Sequence, residues 1–400
     1  NDKTETITCN YLLAADGAKS KVRDSLGISF SGDMSDDIFI MAEVELKNKD
    51  SEREIMSCFS DHGYISLFPI GKHNHYRAVG ILPRYIWKDI KINDTTVLEY
   101  LQKQTGQPLK FIDYGWQLIS RVVGRPIDFC KIGNVFLAGD AAHANSPIIG
   151  QGMNIGIQDV YNLCWKLAMV INKLADISIL ESYNDERSLL KTHKEPVASK
   201  DSHKYNDPVQ SFFTRKVVPL LVEHLMVDSE IMRKNFTNIL SRNKPVYDHS
   251  SLSVGAAGNI VAGELMPYLE LNIEDGQGKP SKSIIKNGPE LKLNFLLITF
   301  NLAKLATAEI NLLVRQNPLL QLINIPVVEE NKKYLAGKGF SESFVAVVRP
   351  DFYIGYITDE FKLSDLNKYF LERIKLKVFK PIKHKTVEHG VDASVKKQLN

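Results

Sequence analysis

Residues 133–154 read GNVFLAGDAAHANSPIIGQGMN and carry the pattern that decides the fold. The segment 135–138, VFLA, is apolar throughout, which is typical of a buried parallel strand. Gly139 permits a turn, so Asp140 stands at the carboxyl end of that strand, the edge where open α/β sheets bind ligands. Residues 150–154 place backbone amides at a helix start, where the dipole favours anionic or carbonyl oxygens. We therefore expect a nucleotide site in which Asp140 accepts from a ribose hydroxyl.

A second segment, residues 11–23, reads YLLAADGAKSKVR. It predicts an apolar strand, a turn at Asp16-Gly17, Ser20 as a helix N-cap and a short helix that ends near Gly27. Alone, an Asp-Gly turn before a helix is common in ordinary structure. Its place ahead of the Asp140 segment makes it informative.

In this order, the two segments resemble the FAD-binding signatures of the aromatic-ring flavoprotein monooxygenases, the family of p-hydroxybenzoate and phenol hydroxylases. The resemblance implies FAD as cofactor, NAD(P)H and O2 as co-substrates, and hydroxylation of a small aromatic ring, phenolic or polyketide-like. It places Asp140 on the ribityl or ribose part of FAD, residues 150–154 at the flavin ring, and Asp16 and Arg23 near the pyrophosphate and the NAD(P)H route. The implied cofactor-binding residues are Asp16, Gly17, Arg23, Gly139, Asp140, Pro147, Gly150, Gln151, Gly152, Met153 and Asn154.

Two departures from the family pattern leave a second hypothesis open. The family opens with a strand, a GxGxxG turn and a helix that cradle the pyrophosphate, and GxGxxG occurs nowhere in these 400 residues. Ile149 stands where the family customarily has glycine. We therefore expect either a fragment or split product of a hydroxylase, or a diverged, non-catalytic remnant or binding protein that keeps the fold without functional flavin.

The predicted fold class is α/β and α+β, with an incomplete Rossmann-like FAD-binding domain, an inserted mixed β-sheet substrate domain and a thioredoxin-like domain. The FAD-binding domain is discontinuous, 1–30 and 130–200, and lacks its amino-terminal βαβ unit. The β-sheet domain spans 31–129, a helical segment and linker 201–260, the thioredoxin-like domain 261–374 and a basic, solvated tail 375–400.

The inserted sheet is predicted from a period-two pattern at 38–47 and from two strand-like segments, 63–70 and 75–82, around a turn. In the family this sheet forms much of the substrate pocket, and Phe59, Tyr64 and Phe68 are candidate lining residues that are more often plain core. A tyrosine, histidine or carboxylate is the expected general base. The sequence identifies no catalytic residue.

The thioredoxin-like prediction follows from the order of elements after residue 290. Strands are expected at 293–300, 319–328, 343–348 and 353–357, with helices at 302–314 and 363–373. Together with Arg349-Pro350-Asp351, this order resembles the domain appended to phenol hydroxylase. No cysteine follows Cys164, so the domain cannot perform dithiol exchange and is expected to be structural or interfacial.

Apolar residues at helical spacing, including Leu163 and Cys164, predict a helix after the Asp140 segment that packs on the sheet through one stripe. Cys164 is therefore expected to be inert core. Residues 180–187, LESYNDER, resemble the family segment in which a tyrosine and a Glu-Arg pair tie the domain together.

Composition excludes several classes of protein. A net charge of +3 among 50 basic and 47 acidic residues gives no reason to expect nucleic acid as a partner. The longest apolar runs are much shorter than the ~20 residues of a transmembrane helix, and the scattered cysteines predict neither disulfides nor zinc. His73 and His75 lack further ligands at metal-binding spacing. We expect a cytoplasmic, soluble protein without a metal, and a homodimer stays open.

Overall fold

The fold is seen in a computed structural model that describes residues 4–29, 38–46, 55–60, 63–71, 74–82, 93–106, 108–112, 117–121, 125–127, 129–144, 152–188, 245–274, 280–285 and 293–382. The chain divides into two compact units. The first contains Asn1–Ile157 and Lys191–Leu240, and the second contains Gln158–Leu190 and Ser241–Asn400.

A three-stranded sheet in the first unit carries both sequence motifs. Its strands are β1 (Leu12–Ala14), β9 (Lys131–Ile132) and β10 (Val135–Leu137). β10 lies in the middle, parallel to β1 and antiparallel to β9. The apolar residues of β10 explain its central place, because Phe136 and Leu137 are buried. Helix α1 (Lys21–Ser25) follows β1, as the second motif predicts.

The inserted sheet of the first unit has six strands, with β2 in contact with three others. The strands are β2 (Ile38–Leu46), β3 (Met56–Ser60), β4 (Gly63–Pro69), β5 (His75–Leu82), β6 (Leu109–Phe111) and β7 (Gln117–Arg121). Their order is β3-β4-β5-β2-β6, and β7 also pairs with β2. The predicted β4–β5 hairpin is confirmed. Helix α2 (Asp94–Thr105), capped by Asn93, packs its Val97 and Leu101 into the core of this sheet.

The alternation that predicts β2 is also confirmed. Ile40, Ala42, Val44 and Leu46 are all buried in one core cluster. Such a period of two is typical of a strand with one face on the core. The side chains of Phe59 and Tyr64 lie outside the described residues, and Phe68 is 39% exposed.

The chain returns from this sheet to the Asp140 segment through two short paired strands, β8 (Arg125–Pro126) and β11 (His143–Ala144). Between β10 and β11 lies one 3-10 turn, Gly139–Ala141. Helix α3 (Gly152–Ile171) begins in the first unit, and most of its length belongs to the second.

The second unit contains a four-stranded sheet with helices between its strands. After the 3-10 turn Ile177–Leu180 comes α4 (Glu181–Ser188), and two hairpins precede the sheet: β12 (Ala256–Ala257) with β13 (Ile260–Val261), and β14 (Leu269–Glu274) with β15 (Pro280–Ile285). The sheet strands are β16 (Phe295–Phe300), β17 (Leu320–Ile325), β18 (Phe344–Val348) and β19 (Ile354–Thr358). The helices are α5 (Lys304–Gln316), α6 (Glu329–Gly337) and α7 (Leu363–Lys368), the last extended by a π-helical turn, Tyr369–Arg373.

The strand order of this sheet is β17-β16-β18-β19. β16 and β17 are parallel, whereas β18 is antiparallel to both β16 and β19. All four predicted strands and both predicted helices are present, with ends shifted by a few residues. Helix α6 was not predicted.

The predicted helix α3 is present and Leu163 of its predicted apolar stripe is buried, but the stripe is wrong at Cys164. Cys164 is exposed, and the buried side of the helix includes Asn162, Lys166 and Met169. The reason is that polar and charged side chains on this helix have buried ion-pair and hydrogen-bond partners, so the hydrophobic pattern does not mark the buried face.

Three predicted boundaries also need correction. Residues 158–188 belong to the second unit, because α3 and α4 make buried hydrogen bonds with residues after 245. Residues 245–260, the linker part of the predicted 201–260 segment, contain no helix, as a linker implies, but they bury Tyr247 and Leu252 and belong to the second unit. The predicted tail starts too early, since Phe379 and Ile382 are buried. Residues 189–244 and 383–400 lie outside the described residues.

Candidate functional site at the carboxyl ends of β1 and β10

The structure brings the two sequence motifs side by side. β1 and β10 are adjacent parallel strands, with Ala14 opposite Leu137, and the amide of Ala138 donates to the carbonyl of Ala14 at 2.9 Å. Because parallel strands end at the same edge of a sheet, the turns that carry Asp16 and Asp140 both leave this edge. This is the edge where open α/β sheets bind ligands.

The turn after β10 presents the Asp140 carboxylate to solvent. Gly139 has a φ of +60°, a left-handed conformation that favours glycine, and its carbonyl accepts from the Ala142 amide at 2.9 Å. Asp140 is the first residue after this glycine and is exposed. The carboxylate is thus free of burial and accessible to a ligand hydroxyl.

Helix α3 packs against this turn through two glycines on one helical face. A methyl group built on Gly152 would lie 3.9 Å from Oδ1 of Asp140, which is an ordinary contact. A methyl group on Gly156 would lie only 3.2 Å from the Cα of Gly139. The helix start and the Asp140 turn therefore approach backbone to backbone. The sequence interpretation missed Gly156, although its spacing of four from Gly152 is the signal that puts both on one face.

Arg23 connects the two motifs. Its buried guanidinium donates to the carbonyl of Ala18 at 3.0 Å and to the carbonyl of Ala141 at 3.4 Å, and it pairs with Asp24 at 3.1 Å. These contacts hold the turn after β1 against the turn after β10. A role near the FAD pyrophosphate stays a prediction for Arg23.

Asp16 and Ser20 cap the helix that follows β1. The Asp16 carboxylate accepts from the amides of Lys21 at 2.8 Å and Val22 at 3.3 Å, and Ser20 accepts from the amide of Arg23 at 3.0 Å. The hydrogen bond from Ser20, helped by these amides, lowers the pKa of Asp16. The predicted N-cap is confirmed, and Gly17 has the positive φ that its turn needs.

The remaining predicted site residues divide into two groups. Met153 and Asn154 are exposed in the first turn of α3. Pro147, Gly150 and Gln151 lie outside the described residues. So does His73, and within the described ranges no cluster of His, Cys, Asp or Glu is arranged to hold a metal ion.

Comparison with known protein families finds a match for the amino-terminal part of the chain. Residues 1–194 match the family model described as an FAD binding domain. The match covers slightly less than half of the chain and contains both sequence motifs. The segments that resemble the flavoprotein monooxygenases thus lie within the part of the chain that is similar to an FAD binding domain, and so does every residue of the site described above.

Curated relatives of this FAD-binding domain are monooxygenases by name. The chain is 34% identical over 185 residues to 6-methylpretetramide 4-monooxygenase of Streptomyces rimosus, covering 46% of this chain and 33% of that protein. It is 32% identical over 192 residues to pentachlorophenol 4-monooxygenase of Sphingobium chlorophenolicum, covering 46% and 34%. The resemblance to the aromatic flavoprotein monooxygenases is confirmed. The matched region spans about a third of the length of these relatives.

Solved structures share the fold over more of the chain. The anhydrotetracycline hydroxylase OxyS of Streptomyces rimosus has a TM-score of 0.66 at 21% identity, covering 94% of this chain and 70% of that one. The flavin-dependent monooxygenase PieE, solved with FAD and substrate, has a TM-score of 0.60 at 17% identity, covering 95% and 70%. At this level of identity the likeness concerns the fold.

The contact between α3 and the Asp140 turn makes a prediction. Replacing Gly156 by valine forces the helix start away from Gly139, at a cost of ~1–3 kcal/mol that is typical of overpacking. We expect FAD affinity, measured by fluorescence titration of the complete protein, to fall by at least about tenfold. Gly337→Val is the matched control, because a methyl group there meets nothing within 4 Å. Equal affinities of the two variants would contradict the described contact.

Proposed function

We propose that this chain functions in an FAD-dependent monooxygenase that hydroxylates an aromatic substrate, phenolic or polyketide-like, with NAD(P)H and O2. The proposal rests on the Asp140 carboxylate, which is exposed at the edge of the sheet where β1 and β10 both end. The start of α3 lies beside it, because Gly152 and Gly156 allow the helix to approach the Asp140 turn closely. The names of the curated relatives, which include a pretetramide and a pentachlorophenol monooxygenase, support the substrate class.

The described residues fit the sugar end of FAD. Asp140 offers a carboxylate to a ribose or ribityl hydroxyl, and Gly139 and Gly152 let the start of α3 pack close to this carboxylate. The first turn of α3, with Met153 and Asn154, would direct its positive dipole end to the flavin ring. When bound, FAD supplies the redox chemistry between NAD(P)H, O2 and the aromatic ring. The protein orients the substrate and excludes water.

We assign the six-stranded sheet, within residues 31–129, to the substrate side of the site. Phe68 supports this assignment as an apolar side chain that is only partly covered. An aromatic substrate needs such apolar surface, with few polar groups to fix its orientation.

We also infer that the four-stranded unit is thioredoxin-like. The order strand, helix, strand, helix, two strands, helix, with β16 between β17 and β18, supports it. With no cysteine after Cys164, this unit has a structural role rather than a dithiol role. All four cysteines of the chain are free, which agrees with the cytoplasmic location that we propose. No helix in the described ranges has the length and apolar character to cross a membrane.

Purification of the complete protein tests the proposed function. We expect a yellow protein with a flavin absorption band, whose oxidation of NAD(P)H is stimulated by a phenolic or polycyclic aromatic compound. A colourless protein that does not respond to added FAD would instead support the non-catalytic binding protein. That outcome would reject the monooxygenase.

Asp140 supplies a sharper prediction. Asp140→Ala should weaken FAD binding by ~1.5–3 kcal/mol, the range for a hydrogen bond to a charged group. Equilibrium titration of the apoprotein with FAD measures this difference. Asp359→Ala removes another exposed carboxylate and should leave the affinity unchanged. If Asp140→Ala also retains full affinity, Asp140 does not hold the sugar.

A further inference from the structure

Four ionisable side chains are buried together in the second unit. We call Lys166, Glu186, Arg349 and Asp351 the buried charge cluster. Each side chain is at most 1% exposed. Two are cationic and two are anionic, so the cluster is formally neutral, which is how buried charges are tolerated.

Arg349 is the centre of the cluster. It donates through Nη1 and Nη2 to the two carboxylate oxygens of Glu186, at 2.5 and 3.0 Å, and through Nε and Nη2 to those of Asp351, at 2.9 and 2.5 Å. Burial opposes its ionisation, but the two carboxylates raise the pKa of Arg349 well above its ordinary value. The planar guanidinium is suited to such paired contacts.

Helix α3 is attached to this cluster by three side chains. Lys166 donates to Glu186 at 2.7 Å, and Asn162 donates to the same carboxylate at 2.6 Å. The indole of Trp165 donates to Asp351 at 3.0 Å. Ser250 completes the partners of Glu186, at 2.6 Å. One turn of α3 is therefore fixed to α4 and to the turn between β18 and β19.

A second buried ion pair extends the attachment toward the start of the helix. Asp159, one turn before Asn162, pairs with Arg187 of α4. Arg187 also donates to the hydroxyl of Tyr247 at 2.8 Å. Tyr183, which belongs to the same LESYNDER segment, is buried. The side chains at 159, 162 and 166 hold one face of α3 over two turns.

The held part of α3 is close in sequence to the proposed flavin end. Asn154 precedes Asn162 by eight residues, or ~12 Å of helix. No proline interrupts α3, so no proline kink is expected between these positions. Fixing residues 159–166 therefore restricts the direction in which the first turn points.

We propose that the buried charge cluster positions the start of α3 for FAD, which makes Lys166, Glu186 and Arg349 positioning residues of the flavin site. The proposal rests on the function proposed above. It also gives the four-stranded sheet, which follows the last cysteine of the chain, a task, because the turn that carries Arg349 and Asp351 connects β18 to β19 of that sheet.

Two substitutions in the complete protein test the proposal. Lys166→Met removes one cation at similar side-chain length, and Asp351→Asn removes one anion at constant shape. Lys332→Met is the matched control, since Lys332 is half exposed and lies 3.9 Å from Glu329 on α6. For each protein, the FAD dissociation constant and the visible flavin spectrum are measured at a temperature where circular dichroism shows the apoprotein fully folded. Asp351→Asn keeps the test usable if Lys166→Met does not fold.

We expect the cluster variants to bind FAD about tenfold more weakly and to shift the flavin absorption band, while Lys332→Met matches the wild type. A wild-type affinity and spectrum in folded cluster variants would overturn the proposal and leave the proposed function intact, because the cluster would then only stabilise the fold. A wild-type protein that binds no FAD would overturn both.

Discussion

Replacing Arg349 by methionine is expected to lower the free energy of unfolding by ~3–5 kcal/mol, the usual range for breaking a buried ion pair from one side. The methionine fills much of the space but leaves the carboxylates of Glu186 and Asp351 without their shared cation. Lys166 is then the cation of the cluster that still interacts with both carboxylates. Denaturant titration followed by circular dichroism measures the loss.

The control for Arg349→Met is Arg315→Met. Arg315 is exposed in the last turn of α5, so its loss should change the free energy of unfolding by no more than ~0.5 kcal/mol. The free energy of unfolding of Arg349→Lys should lie between those of Arg349→Met and Arg315→Met. The lysine ammonium keeps the positive charge but cannot make paired hydrogen bonds to both carboxylates. Equal stability of Arg349→Met and Arg315→Met would show that the cluster is not formed as described.

The ionisation of Lys166 is expected by itself to make stability rise with pH between about 8 and 10.5. Burial, together with Arg349, lowers the pKa of Lys166 to about 8 from its ordinary 10.5, although Glu186 and Asp351 oppose the change. In this window the unfolded chain keeps a proton that the folded chain has released, so raising the pH favours the folded state. Each unit of pKa difference contributes ~1.4 kcal/mol, or ~3 kcal/mol over the full window.

Buried tyrosines limit the range in which this effect can be measured. Burial raises the pKa values of Tyr247, Tyr353 and Tyr369, so above about pH 10 the folded chain keeps protons that the unfolded chain loses, and stability falls. Denaturant titrations between pH 8 and 9.5 should therefore show that the wild type gains ~2 kcal/mol relative to Lys166→Met. The same rise in both proteins would exclude Lys166 as its source.

The sequence predicted well those features that depend on local chemistry. Gly139 before Asp140 specifies a turn at a strand end, and Ser20 specifies a helix N-cap, whatever surrounds them. Likewise, the alternation from Ile40 to Leu46 defines one buried face of β2. The strands of the second unit are also predictable from their own residues, because a segment such as β18 is apolar at every position.

Features that depend on distant partners were not predictable in this way. Lys166 and Asn162 look like a solvated helix face until Glu186 and Arg349 are placed beside them, and this is why Cys164 was assigned to the wrong side of α3. Helix α6 was not predicted because its sequence, EENKKYLAG, is mostly polar and has only a weak apolar face. Gly156 needed the position of Gly139 before its role was visible.

A crystal structure of the complete protein with FAD is the most direct measurement. We predict an Asp140 carboxylate oxygen within hydrogen-bonding distance, ~2.5–3.0 Å, of a ribose or ribityl hydroxyl, with the first turn of α3 facing the flavin ring. FAD bound at another edge of the sheet, or an Asp140 carboxylate turned away from the sugar, would contradict the account.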